Sequence, residues 1–171
     1  MKKLFNRRNA FVLFLVLSVA WMSVIFGFSS RDAEESTVQS NSVTELLIKI
    51  FEKDYDSLPD TQKQLLVEKY DGIVRKIAHF GIFGVLGLLT YFAAGSLRWI
   101  PDFLVKPSYI SWPCCVAFAI TDELHQMFVP GRSCQIKDVL IDSSGALCGT
   151  FVAIVAVLLA KKMLLKKKRI K

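Results

Sequence analysis

With 171 residues, 53% hydrophobic side chains, 13 Phe and a net charge of +7, the chain is too oily for one soluble domain and too short for two. Its positive charge sits mostly beside apolar runs. That ties the charge to membrane topology and anionic lipid, and argues against a nucleic-acid partner.

Ala10 to Phe28 is an unbroken apolar run, and about 20 residues suffice to cross roughly 30 Å of hydrocarbon. Lys2, Lys3, Arg7 and Arg8 precede it and Gly27 to Ser29 offers small residues, so a cleaved signal peptide is the competing reading. The apolar core of a signal peptide is about 7 to 15 residues, shorter than this run, which favours a retained anchor. Arg31 to Asn41 is polar and aperiodic, and a flexible link is expected there. Val43, Leu46, Leu47, Ile50 and Phe51 follow at i, i+3, i+4, i+7 and i+8, one apolar helical face, with Ser42 and Glu45 spaced as a capping box. This helix is expected to lie on the membrane or on the bundle. A further helix is predicted from Pro59 and Asp60 through Leu65, Leu66, Lys69 and Ile73 into the next apolar segment, with Gly72 as a bend.

Three more segments reach spanning length: Ile77 to Leu97, interrupted only by His79; Ser108 to Phe128, with Pro113 inside it; and Val139 to Ala160, with a single Asp. The second of these is cleanly apolar only in its first half, so a re-entrant hairpin is the alternative there. Thirteen Lys and Arg residues lie at the amino end, in the second loop (Arg98, Lys106) and in the tail from Lys161 to Lys171. Between Arg31 and Lys76, seven basic residues face ten acidic ones, and the last loop has only Arg132 and Lys137. The positive-inside rule then sets both termini in the cytoplasm. The expected architecture is all-α, a single domain over 1–171. It is a four-transmembrane-helix bundle (spans about 10–28, 77–97, 108–128 and 139–160) with one helical extracytoplasmic loop over 31–76 and a basic cytoplasmic tail over 161–171.

Cys114, Cys115 and Cys148 fall in the spans and are expected to be small buried packing residues, while Cys134 stands alone in a loop. No C-x-x-C pair suggests a metal or redox site, and no disulfide framework is expected.

Carboxylates near these spans need an explanation, because one at the bilayer centre costs roughly 2.5 to 3.5 kcal/mol. They must be paired, protonated or close to water. On the inferred topology, Lys76 and His79 open the second span at its outer end, and Asp122, Glu123, His125 and Gln126 close the third there. Arg132, Asp138 and Asp142 occupy the outer loop and the first turns of the fourth span, so the unusual polarity converges on one membrane face. Asp138, Asp142, Gly145 and Gly149 recur at steps of four, three and four, placing both acids and a G-x-x-x-G pair on one stripe. Cys115, Ala119, Asp122 and Gln126 form a comparable stripe on the third span, and the two stripes are predicted to mate. Gly81, Gly84 and Gly87 suggest packing but drift around the second span without pointing at the face of His79.

The same residues carry a resemblance. Arg75-Lys76-Ile77-Ala78-His79-Phe80, Asp122-Glu123-Leu124-His125-Gln126, Val129-Pro130-Gly131-Arg132-Ser133, and Asp138 through Asp142-Ser143-Ser144-Gly145 resemble the VanZ-like family of bacterial membrane proteins. Phe28-Ser29-Ser30 after the first span also matches that family's habit. The likeness covers nearly the whole chain apart from the outer loop and the tail, and the ordered combination is specific where each motif alone is weak. It implies a small four-span protein of the bacterial cytoplasmic membrane, of a kind whose founding member is linked to resistance to the glycopeptide teicoplanin.

Three classes of function fit. In the first, an envelope protein uses Lys76, His79, Asp122, Glu123, Gln126, Arg132, Asp138 and Asp142 to bind a lipid headgroup, a cell-wall precursor or a glycopeptide-like ligand. Lys76 or Arg132 would face an anionic part and the carboxylates an amine. In the second, a membrane-embedded enzyme acts on a lipid-linked substrate, with a divalent metal as its cofactor and His79, Glu123, His125 and Asp142 as candidate ligands. The Asp-Glu-x-His-Gln run lacks the two His at i and i+4 of H-E-x-x-H, so it matches no known metal signature. In the third, the charges only lock helices together. A channel through the chain is disfavoured, because nothing ionisable lies in the inner halves of the second, third and fourth spans.

Overall fold

Every described segment longer than a loop is helical, as a chain with no internal strand pattern and long apolar runs requires. The computed structural model describes residues 7–97 and 106–169. Lys2, Lys3, Arg98 and Lys171, which enter the topology argument, lie outside the described residues. The elements are α1 (Arg7–Ser29), α2 (Ala33–Phe51), one 3-10 turn (Tyr55–Ser57), α3 (Asp60–Gly95), α4 (Ser108–Gln126) and α5 (Ile136–Arg169). By length and composition α1, α3 and α5 are able to cross a membrane. The 19-residue α4 carries its acids in its last turns and is less apolar.

Helices α1 and α4 run one way, α3 and α5 the other. Phe14 stacks on Phe92 with ring centroids 5.2 Å apart, and Trp21 donates its indole N–H to the Ile82 carbonyl at 2.8 Å, which makes α1 antiparallel to α3. On another flank of α3, Pro107 sits beside Gly95, Cys115 meets Thr90 at 3.3 Å and Phe118 packs on Phe83, so α4 is antiparallel to α3 as well. It is one continuous helix through Pro113 rather than a hairpin. Ile25, Phe83, Leu86, Cys115, Ala119 and Ala146, from all four helices, form the buried core.

Helices α3 and α5 are parallel and meet backbone to backbone. A side chain on Gly145 would collide with the Phe80 carbonyl, one on Gly149 with the Gly84 carbonyl, and one on Gly87 with the Ala146 carbonyl. Lipid tails are as apolar as Leu, so dispersion at such close contacts is a main source of helix association in a bilayer. The predicted mating of the Gly145–Gly149 stripe with α4 is therefore corrected: its mate is α3. The Cys115–Ala119 stripe of α4 goes into the common core instead.

Other expectations also change. The expected link over 31–41 is helical, because Asp32 caps α2 by accepting the Glu35 N–H at 2.8 Å, and Glu34 and Glu35 fill the first turn. Ser42 and Glu45 stand mid-helix, the Ser42 hydroxyl donating back to the Val38 carbonyl. The polar side of α2 packs on α3, through Thr44 to Asp71 at 3.4 Å, while Val43, Leu46, Ile50 and Phe51 remain exposed. Helix α3 runs unbroken through Gly72, and its 36 residues reach about 54 Å, far longer than a span. Cys115 is buried as expected, but Cys114 and Cys148 are exposed on outward helix faces. The basic tail continues α5 as helix to Arg169.

Gly149→Leu is expected to lower the free energy of unfolding in detergent by about 1 to 3 kcal/mol or more, as overpacking does. Gly81→Ala, whose new methyl group meets open space, is expected to leave it unchanged or raise it by up to about 1 kcal/mol. Equal effects in a denaturant titration would contradict the α3–α5 interlock.

Candidate functional site

The ends of α1 and α4, the middle of α3 and the start of α5 come together at one end of the bundle. Gly72, Lys76 and His79 recur on one face of α3, with Arg75 one helical step away. That face, with Gln126 of α4, Gly131 to Ser133 and Gln135 of the following loop, Asp138 and Ile141 of α5, and Ala33 of α2, encloses a cavity of about 430 Å³. Five of the predicted binding residues therefore line one space: Lys76, His79, Gln126, Arg132 and Asp138. The other three, Asp122, Glu123 and Asp142, are buried behind it, each at most 1% exposed.

Each buried acid has a different set of partners. Asp122 accepts the Ser29 hydroxyl at 2.7 Å and the Gln126 amide at 3.2 Å. Glu123 accepts the same Gln126 amide at 3.3 Å and the Gln135 backbone N–H at 2.9 Å. Asp142 lies 3.4 Å from His79 Nδ1, an ion-pair distance without hydrogen-bond alignment. Both oxygens of Asp142, one of Asp122 and one of Asp138 are buried and unpartnered, as is His79 Nδ1. Asp122, Asp138 and Asp142 all lie within electrostatic reach of the His79 ring. Buried polar atoms are nearly always hydrogen-bonded in native proteins, and these acceptors meet no donor among the described residues.

Arg132 joins this floor to a roof. It donates from Nη1 to the Gln126 amide oxygen at 2.8 Å and from Nη2 to the Ser36 hydroxyl of α2 at 2.6 Å. The loop reaches α2 because Gly131 adopts a left-handed φ of 73°, with the Ala33 methyl group where a side chain would stand. Ala33 N–H donates to the Pro130 carbonyl at 3.2 Å. Burial, then the charge of nearby Arg75, holds the Arg132 guanidinium below its ordinary pKa.

His125 does not join the site. It stacks on Phe26 of α1 at 4.2 Å and meets Ser30, just past the end of α1, at 3.2 Å. The predicted metal set of His79, Glu123, His125 and Asp142 is thus divided. Among the described residues no three His, Cys, Asp or Glu side chains are gathered to hold an ion.

A family model described as VanZ/LLP1 matches residues 14–159, most of the chain. The chain belongs to the VanZ/LLP1 family. No curated protein and no solved structure matches it. The four motifs that carry the sequence resemblance supply most of the cavity lining and its floor of Asp122, Glu123 and Asp142, while Ala33, Asp71, Gly72 and Gln135 come from outside them.

Residues absent from the sequence-based candidates complete the arrangement. Arg75 pairs with Asp71 at 2.9 Å and donates to Ser40 at 3.3 Å. The i, i+4 spacing of Asp71 and Arg75 on a helix is a readable signal for that pair. Ser29 and Ser36 reach Asp122 and Arg132 from more than 90 positions away, and no local pattern announces such contacts.

Gln126 is the hub between two acids and Arg132, so Gln126→Leu removes one hydrogen-bond partner from each of two buried carboxylates and from the half-buried guanidinium. A loss of about 1 to 3 kcal/mol in unfolding free energy is expected, the cost of unsatisfied buried polar groups. An unchanged thermal unfolding midpoint would remove Gln126 from that role.

Proposed function

We propose that this VanZ/LLP1 protein binds a polar ligand in the cavity, at the outer face of the bacterial cytoplasmic membrane. The ligand class is a lipid headgroup, a cell-wall precursor or a glycopeptide-like molecule, with a contribution to glycopeptide tolerance. In this reading α4 crosses as a fourth span beside α1, α3 and α5, and both termini are cytoplasmic. The observation that carries the proposal is the set of carboxylate oxygens of Asp122, Asp138 and Asp142 that accept no hydrogen bond, those of Asp142 having only the His79 ring at 3.4 Å, beside an open cavity. A cluster that served only to lock helices would be expected to close its own hydrogen bonds. An amine or hydroxyl of a ligand supplies a donor to Asp138, which lines the cavity with the charges of Asp122 and Asp142 behind it, and Arg132 and Lys76 stand ready for its anionic part.

A second reading, an enzyme acting on a lipid-linked substrate, is favoured by one feature. His79 faces the cavity with the fully buried carboxylate of Asp142 behind it, the placement of an oriented general base. Turnover of a lipid-linked substrate that His79→Gln abolishes, with binding retained, would select this reading.

Arg132→Ala and Asp142→Asn are expected to change glycopeptide susceptibility in cells while the amount of membrane-inserted protein holds. If susceptibility matches the parent strain the binding role fails, and if abundance and function fall in proportion the cluster is structural. Orientation has its own check in Cys134, which is exposed in the loop after α4. A variant retaining only that thiol is expected to react with a membrane-impermeant maleimide in intact cells. Reaction only after lysis would place the loop inside and contradict the proposed topology.

A further inference from the structure

We propose that the basic wall of the cavity is a subsite for the phosphate of a membrane lipid, held by Arg75, Lys76 and Arg132, with the acyl chains lying along Ile77 and Phe80. The inference rests on the binding role proposed above and names its ligand class.

Three cations border one space. Both hydrogen bonds of Arg132 go to uncharged acceptors, the Gln126 amide oxygen and the Ser36 hydroxyl. Lys76 is exposed and makes no ion pair among the described residues. Arg75 shares one nitrogen with Asp71, but its Nε is buried without an acceptor. Arg75 and Arg132 line the same space and repel each other, while Asp122, Glu123 and Asp32 act on Arg132 with the opposite sign; an anion between the two guanidinium groups converts their mutual repulsion into attraction. Phosphate suits the pair, because each planar fork offers parallel N–H donors to two oxygens. Asp71 and Asp138 border the same cavity as competing anions. Asp71 is already engaged by Arg75 and Asp138 lies nearer the His79 side, within that ring's electrostatic reach.

The lipid part of the proposal comes from the neighbouring face of α3. Ile73, Ile77 and Phe80 are exposed at i, i+4 and i+7, one residue beyond Gly72, Lys76 and His79. An exposed apolar stripe thus runs beside the basic wall. Lys76 is also the last Lys or Arg of α3 before the apolar run from Ile77 to Gly95, so the wall stands at the depth of lipid phosphates. A cavity of about 430 Å³ has room for a phosphate with a small headgroup.

The test uses the full chain in detergent and follows its thermal unfolding as lipid is added in mixed micelles. Phosphatidylglycerol is expected to stabilise the protein saturably, whereas diacylglycerol, which lacks the phosphate, and glycerol phosphate, which lacks the chains, do not at matched concentration. Lys76→Gln and Arg132→Gln are each expected to weaken the apparent affinity for phosphatidylglycerol about tenfold, the loss of one charge-assisted contact. Lys162→Gln, on the distant part of α5, leaves it unchanged. Should Arg132→Gln unfold the roof, Lys76→Gln alone decides, since that side chain is exposed and makes no ion pair among the described residues. Parent-like affinity in Lys76→Gln, or equal stabilisation by diacylglycerol, overturns the phosphate subsite. Equal stabilisation by glycerol phosphate overturns the lipid source in favour of a water-borne phosphate. If any of these occurs while Arg132→Ala and Asp142→Asn still alter susceptibility, the binding site stands and lipid phosphate is removed as its ligand.

Discussion

The close approach of α3 and α5 is the constraint on which the rest depends. Gly145 against the Phe80 carbonyl and Gly149 against the Gly84 carbonyl bring two parallel backbones into contact. Asp142, one helical step from Gly145, is thereby pressed towards His79 on α3. Larger residues at the glycines would separate the helices by a side-chain layer and leave the Asp142 carboxylate without its imidazole. The remaining elements then cover this pair: α4 with Asp122, Glu123 and Gln126, α1 with Ser29, and the loop after α4 with Arg132. Packing of small residues deep in the bundle therefore sets the electrostatics at its mouth.

Two layers of polarity result, with different consequences. The inner layer consists of the buried Asp122, Glu123 and Asp142 with the partly buried His79, and several of its acceptors meet no donor among the described residues. The outer layer of Arg75, Lys76 and Arg132 is more accessible and cationic, and lies where α3 passes from polar to apolar sequence. Arg132 links the layers to α2, so occupation of the cavity and the seating of α2 share one side chain. An acidic floor and a basic wall in one space suit a ligand that carries an anion beside hydrogen-bond donors.

Much of this was legible before any coordinates, for a physical reason. Charged residues at the ends of apolar runs are expensive, so Lys76, His79, Asp122, Asp142 and Arg132 stand out one by one, and charge asymmetry between loops groups them on one face. Partner choice was not legible. A G-x-x-x-G stripe states that something approaches closely without saying which helix, and the drifting steps of Gly84 and Gly87 concealed that α3 receives α5. The run over 31–41 looked like a link because its residues are polar, yet Asp32, Glu34 and Glu35 are an N-terminal signature and the capping-box match at Ser42 lay inside the helix. His125 shared a motif with true site residues, but helical geometry turns it towards Phe26 of α1. Ser29 and Ser36 enter through tertiary contact alone.

His79 and Asp142 are held against each other across the α3–α5 contact. A double-mutant cycle on unfolding free energy, with His79→Ala, Asp142→Ala and both together, measures this directly. A coupling of about 0.5 to 3 kcal/mol is expected, the range for residues in contact. Additive effects of the two substitutions would show that the pair does not interact and would contradict the account of the site.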